Sequence, residues 1–331
     1  MKKIVSILLA VLMLTAMFAG CAKKEAASPD APAPTDADTV AVGAVIIARD
    51  DIPEDDVYKL VSTIFDNKDA ITEQHAKGGE LDLDFASSVT SVPYHPGAAK
   101  YFEEQGKQVA SVKEGAGQGA TGALTFGTGG DTGTYYAYGG VLSSFVSSNT
   151  DLIVTAVTSG GSQANIEDLA AGNVQLAFVQ SDVMSYGYNG ERLFESKVEG
   201  FSTVAALYME QVQIVTTNAE IKSVADLKGK TVSIGAAGSG VYFNALDVLE
   251  SYGMGENDIS AVYQSFGDSA DSLKDGKIDA AFIVAGAPTP AIIDLATAGP
   301  VYLVSLDDEH TSTLLESSPY YSAFTVPAGT Y

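Results

Sequence analysis

An α/β protein of two domains with mostly parallel sheets is predicted by three observations. Short apolar or β-branched runs recur between helical stretches, at residues 124–126, 152–157, 176–179, 212–215, 231–234 and 280–284. Continuous apolar strands of this kind belong to sheets covered on both faces. Most of these runs are followed by a loop of small, polar, donor-rich residues. The chain has 331 residues, and about 290 remain beyond its N-terminal leader and tether, enough for two domains of ordinary size.

Along the chain, Lys2 and Lys3 precede an apolar run from residue 4 to 19. That run is short for a membrane span and has the layout of a secretory signal, assigned to residues 1–20. Phe18-Ala19-Gly20-Cys21 looks like a lipobox, although Phe18 stands where an aliphatic residue is usual. Cys21 is the single cysteine, which excludes an internal disulfide and makes lipid attachment its expected use. Residues 21–39, rich in Ala, Pro, Ser and Asp, are expected to form a lipidated tether. The protein is therefore placed outside the cytoplasm, on the outer face of the cell membrane or in a periplasm.

The formal charge is −24, from 18 basic and 42 acidic residues. This argues against nucleic acid and against a basic membrane-binding face. Only two arginines occur, Arg49 and Arg192. An anionic ligand would therefore be held mostly by backbone N–H groups and hydroxyls.

The run at 124–126 leads into Gly127-Thr128-Gly129-Gly130-Asp131-Thr132-Gly133, then a helix carrying Tyr135, Tyr136 and Tyr138. Such a turn brings backbone close to a ligand, and the helix start behind it offers unpaired N–H groups to an anion. Thr132 stands where a dinucleotide fingerprint needs glycine, so that reading is weak. Thr158 to Asn165 follows the next strand, and Gln180-Ser181-Asp182 the one after. Gly235-Ala236-Ala237-Gly238-Ser239-Gly240 and Ala285-Gly286-Ala287-Pro288-Thr289 follow later ones. A single such loop is more often a helix cap; five at strand ends point to a ligand, because ligands of these folds sit beyond the carboxyl ends of strands.

Catalysis is not expected. His75, His95 and His310 show no metal-ligand spacing, Gly160-Gly161-Ser162-Gln163-Ala164 only approaches a nucleophile elbow, and Gly229-Lys230-Thr231 lacks the upstream glycine of a P-loop. No cofactor and no metal are expected.

Together the loops resemble the TAXI family of extracytoplasmic solute receptors, the binding subunits of a branch of TRAP transporters. The matching stretches are Gly127 to Gly130 with Gly133 and Tyr135-Tyr136, Thr158 to Asn165, Asn173 to Asp182, Gly238-Ser239-Gly240, and Val284 to Pro290. The resemblance implies a two-lobed, type II periplasmic-binding-protein fold with a ligand cleft between lobes. It also implies TRAP-type permease subunits as partners and a small anionic or zwitterionic solute, glutamate-like or a dicarboxylate. A monomer is expected. An ABC importer receptor and a ligand-sensing lipoprotein remain as alternatives.

The stretches around Thr39 to Ala44, Pro53 to Leu60 and His95 to Phe102 resemble the C-terminal third of such receptors, yet they precede the glycine loop. The chain reads as circularly permuted; a rearranged gene or an assembly error would give the same order. The expected organisation is a permuted segment at 40–113 in lobe 1, a flexible linker at 114–123, the glycine-loop half of lobe 1 at 124–210, and lobe 2 at 211–331. The chain would cross between lobes near 208–214 and again near the joined ends, with the cut in that second crossing and a looser hinge as its consequence.

Within this resemblance the expected ligand residues are Thr128, Gly129, Thr132 and Tyr135 from the first loop, and Ser159, Gly160 and Ser162 from the second. Gln180, Ser181 and Asp182 follow at the next strand end, with Ser239, Gly240, Gly286 and Thr289 from the second lobe. Asp182 would meet a ligand ammonium or serve as a helix N-cap. Tyr136 and Tyr138 are expected to pack rather than bind.

Overall fold

A computed structural model describes residues 35–331. The leader, Cys21 and most of the tether lie outside the described residues. The elements in chain order begin with β1 (Ala37–Arg49), α1 (Glu54–Asp66), α2 (Lys68–Thr72), α3 (Leu83–Ala86) and α4 (Pro96–Glu104). β2 (Leu124–Gly127), α5 (Thr134–Asn149), β3 (Val154–Val157), α6 (Ser162–Ala171), β4 (Leu176–Gln180), α7 (Ser181–Asn189) and β5 (Phe201–Thr216) follow. The remainder is β6 (Thr231–Ser233), α8 (Val241–Ser251), β7 (Ser260–Val262), α9 (Phe266–Lys274), β8 (Ala280–Ala285), α10 (Pro290–Ala298), β9 (Tyr302–Leu303), α11 (Asp308–Ser317) and β10 (Ser322–Val326). Among the described residues, no helix is long and apolar enough to cross a membrane.

The strands hydrogen-bond in the order β3-β2-β4-β1-β5-β8-β6-β7, with β10 on β1 and β9 on β5. Within each flank the short strands run parallel, β2 with β3 and β4, and β6 with β7 and β8, and the central ones, β4 and β8, are buried throughout. The long strands β1 and β5 pair antiparallel with each other and with their neighbours β4 and β8. The fold is thus a mixed α/β type with two parallel halves joined by a two-stranded antiparallel bridge.

Four apolar clusters fill the layers. Two cover the β2–β4 half: one through Phe126, Tyr138, Leu142 and Phe178, the other through Ile166, Leu169, Val179 and Val183. Two cover the β6–β8 half, through Ile234, Ala245 and Val248 on one side and Leu273, Ile283 and Ile292 on the other. Strand β1 changes allegiance along its length. Val40 and Val42 pack into the second half, while Ala44 to Ala48 pack into the first. Strand β5 does the same in reverse, with Leu207 and Tyr208 in the first half and Val212 and Ile214 in the second. The crossing therefore lies at Met209–Gln211 opposite Ala41–Gly43.

Three expectations are corrected here. The tether was expected to run to residue 39, but β1 starts at Ala37, because Ala37 and Thr39 already pair with Val326 and Phe324. No chain end of the described residues falls in the second crossing, where the permutation reading expects one. β1 runs unbroken through it, and the two chain regions that meet, β10 and the start of β1, lie beyond it in antiparallel register, so the ground for a looser hinge disappears. Residues 114–123 hold no strand or helix, as a linker would, yet they are pinned. Gly117 N–H donates to Asp50 O (2.8 Å), Glu54 N–H donates to Gly117 O (3.1 Å), and Ala116 is buried.

Candidate functional site

Every strand of both parallel flanks points its carboxyl end toward the seam between the halves, so the loops that follow them meet there. A cavity of about 80 Å³ lies at that seam. It has room for roughly five to eight waters, the size of a small organic acid. Its lining comes from Gly129, Gly130, Gly133, Thr134 and Tyr135, from Ser159 to Ser162, and from Gln180 and Glu210 on the first side. Ala236, Ser239, Gly240, Val241, Ser265, Phe266, Val284 and Ala285 close it from the second.

The dominant electrostatic feature is the helix starts. α5, α6 and α8 begin on Gly133, Gly161 and Gly240, and none of these glycines supplies a side-chain cap. Their first-turn N–H groups lack the usual Ser, Asp or Thr acceptor, and the positive ends of three dipoles face one space. Such a place favours an anion. Gly161 has φ 108°, a region closed to most side chains, and lets the backbone turn directly into the helix. Gly240 serves a different need: a Cβ there would overlap Gln180 Oε1.

Around this centre, Ser162 Oγ accepts from Gln180 N–H (3.1 Å) and Ser159 Oγ accepts from Gly161 N–H (3.1 Å). Ser239 Oγ and Gln180 Oε1 are buried and have no partner within the protein. Buried polar atoms are normally paired, so two orphans on one cavity wall are groups awaiting a ligand or water. Tyr135 stacks flat on Phe178, with centroids 4.7 Å apart, and its hydroxyl donates to Glu210 Oε2 at 2.6 Å. Burial pushes the Glu210 carboxyl up to about 8 against the help of Tyr135 and Lys77, and raises Tyr135 as well. Lys77 is held by Glu80 at 2.5 Å.

The two halves are shut on each other. Ala164 N–H donates to Gly238 O (3.0 Å), Thr134 Oγ1 donates to Gly286 O (3.0 Å), and Gln180 Nε2 donates to Asn244 Oδ1 (2.8 Å). Beside the cavity, a polar clasp continues from there. Asn244 Nδ2 donates to Asp182 Oδ2 (2.8 Å), Tyr321 OH donates to Asp247 Oδ2 (2.8 Å), and Arg192 pairs with Asp247 at 2.7 Å.

Eight of the residues expected from sequence come together on the cavity: Gly129, Tyr135, Ser159, Gly160, Ser162, Gln180, Ser239 and Gly240. Six do not line it. Thr128 Oγ1 is spent on Val157 O (2.6 Å) and ties two strand ends. Thr132 lies outside the lining, its carbonyl accepting from Ala291 N–H (3.2 Å). Ser181 turns to the opposite face of the bridge, accepting from Gly43 N–H (3.0 Å). Gly286 O accepts from Thr134 Oγ1 across the seam (3.0 Å), and Thr289 Oγ1 turns back to the same carbonyl within its own half (3.1 Å). Asp182 points into the clasp, where burial lifts its carboxyl to about 6. It is therefore not placed to meet a ligand ammonium. Nor is it the N-cap of α7, a position held by Gln180; it lies in that helix's first turn.

Sequence reasoning missed Glu210, Phe266 and Gly133–Thr134 among the lining. Glu210 sits inside an apolar strand run, and a lone acid there was the available signal. Of the tyrosines, Tyr138 is buried in the core while Tyr136 is exposed. Among the described residues, no group of three or more His, Cys, Asp or Glu stands close enough to hold a metal ion.

Solved structures similar to this chain include the periplasmic aliphatic sulphonate binding protein SsuA from Escherichia coli, at 19% identity and TM-score 0.37 over 63% of this chain and 66% of that one. The alkanesulfonate-binding protein SsuA from Xanthomonas axonopodis pv. citri, bound to MOPS, matches at 18% identity and TM-score 0.39 over 64% and 68%. A putative L-cystine ABC transporter from Listeria monocytogenes matches at 19% identity and TM-score 0.39 over 59% and 89%. A family model matches this chain over most of its length. It covers residues 23–106 and 126–331, and the chain belongs to the NMT1-like family.

Proposed function

We propose that the protein is an extracytoplasmic solute receptor that captures a small organic acid by closure of its two halves. The observation that carries this reading is the convergence of three uncapped, glycine-started helices on one cavity at the seam. Among the described residues no lining side chain is basic, so main-chain N–H groups would do most of the holding, and the cavity's size suits a compact ligand. Glutamate-like amino acids and dicarboxylates are the candidates. A ligand that touches both halves favours the shut form by its differential affinity, and the shut form is what a membrane partner would read.

In this reading the lobes are residues 40–113 with 124–210, and 211–331, with the refinement that Val40 and Val42 pack in the second. The permuted order is supported by the antiparallel register of β10 against the start of β1. Cys21 would carry the lipid anchor. Two membrane partners are carried forward: an ABC importer, the system for which the Listeria neighbour is named, and a TRAP-type permease, from the glycine-loop resemblance. Neighbouring genes decide between them, an ATPase with a Walker motif favouring the first and a large TRAP-type membrane protein the second.

Thermal-shift screening of the protein against small carboxylates and amino acids tests the receptor reading. A ligand of the folded state raises the melting temperature in proportion to the logarithm of its concentration above Kd. No shift with any small acid at millimolar concentration would overturn it.

A further inference from the structure

Glu210 is the one acidic side chain on a wall otherwise built to attract anions. It lies at the crossing of β5, paired with Val42, and is 2% exposed. Among the described residues, no lining side chain of the cavity is basic. The charged and titratable groups that face it are Tyr135, whose hydroxyl it accepts; Tyr208, one pleat away; Asp182, which repels its charge; and Lys77, already taken by Glu80. A carboxylate left in such a place without a counter-charge keeps its proton. Because Tyr135 donates to Oε2, that oxygen is an acceptor, which leaves the proton to Oε1.

Resting on the receptor reading, we propose that Glu210 acts in its neutral form as a hydrogen-bond donor to the ligand. The site therefore takes a small carboxylate without an ammonium group in preference to the amino acid of the same size. Three helix dipoles oppose a buried ammonium and favour a carboxylate, while the acid proton supplies the donor that no arginine or lysine provides. Asp182, the other acid expected to meet an ammonium, is turned away into the clasp.

Matched pairs test this: lactate against alanine and malate against aspartate, each pair differing only in hydroxyl or ammonium. Isothermal titration calorimetry from pH 6 to 9.5 is run on the intact folded protein. The hydroxy acid of the preferred pair is expected to bind at least tenfold tighter at pH 7. Its affinity should be level below pH 8 and fall toward tenfold per pH unit above it, as Glu210 ionises. Glu210→Gln should remove that fall, since a carboxamide donates without titrating. Glu210→Ala should weaken binding at least tenfold at pH 7 while circular dichroism shows a folded protein.

Tighter binding of the amino acid, with affinity rising through pH 8 and lost in Glu210→Gln, overturns the inference and leaves the receptor reading standing. A hydroxy-acid profile that is flat to pH 9.5 also overturns it. Absence of binding by every member of a broad acid panel overturns both.

Discussion

The cavity and the clasp beside it are both made where the halves meet, yet they differ in how far their polar groups are paired. In the clasp, Asn244, Asp182, Tyr321, Asp247 and Arg192 are joined to one another across the seam, and only Asp182 Oδ1 among them is left without a partner. In the cavity, Ser239 Oγ and Gln180 Oε1 have no protein partner, and three helix starts go uncapped. Buried polar groups that are paired hold a structure together; those left unpaired cost free energy unless something else arrives. The contrast separates what closes the protein from what it closes upon.

Asn244→Ala is the severest way to break the comparison. It strips a partner from Gln180, Asp182 and Tyr321 at once, and should cost about 2–4 kcal/mol of stability, read as a lowered midpoint in urea denaturation. Gly240→Ala attacks the cavity side. Its Cβ would overlap Gln180 Oε1 while Gln180 Nε2 is anchored by Asn244. Overpacking of about 1–3 kcal/mol should weaken ligand binding about 5- to 150-fold with little change in secondary structure; unchanged affinity would show that the loop yields.

A pH experiment sharpens the same contrast. Glu210 in the cavity and Asp182 in the clasp both have folded-state values raised by burial, to about 8 and about 6. Raised carboxyls bind protons more tightly folded than unfolded, so their stabilisation is full below the unfolded values and declines as pH rises. The melting temperature should fall from pH 5 toward pH 8. Asp182→Asn should flatten the part below pH 6, and Glu210→Gln the part reaching 8. The smallest effect belongs to Arg192→Ala, since the Arg192–Asp247 pair is partly exposed; its cost is about 1 kcal/mol or less, and a double-mutant cycle with Asp247→Asn measures it.

Much of the fold was legible because burial writes itself into sequence. The runs at 176–179 and 280–284 are apolar on both faces, that at 124–126 is apolar on one, and all three are strands of the parallel flanks. The bridge was not legible in the same way. Residues 201–216 form one strand with its allegiance divided between two cores, and no local pattern announces where a strand changes partners. The candidate cavity was partly legible for a related reason. Glycines that begin helices, such as Gly133 and Gly161, are visible as sequence, whereas the direction in which Ser181 or Asp182 points depends on the twist of a helix start against its neighbours.

Sequence alone determined the alternation of strand and helix, the acidity, the scarcity of arginine and the small-residue loops, because these follow from composition and from periods of two or a few residues. Only the tertiary structure decided that three uncapped helix starts share one space, that Glu210 stands among them without a counter-charge, and that Asp182 serves the clasp. Those facts arise from long-range packing, where residues more than sixty positions apart, such as Gln180 and Asn244, settle one another's partners.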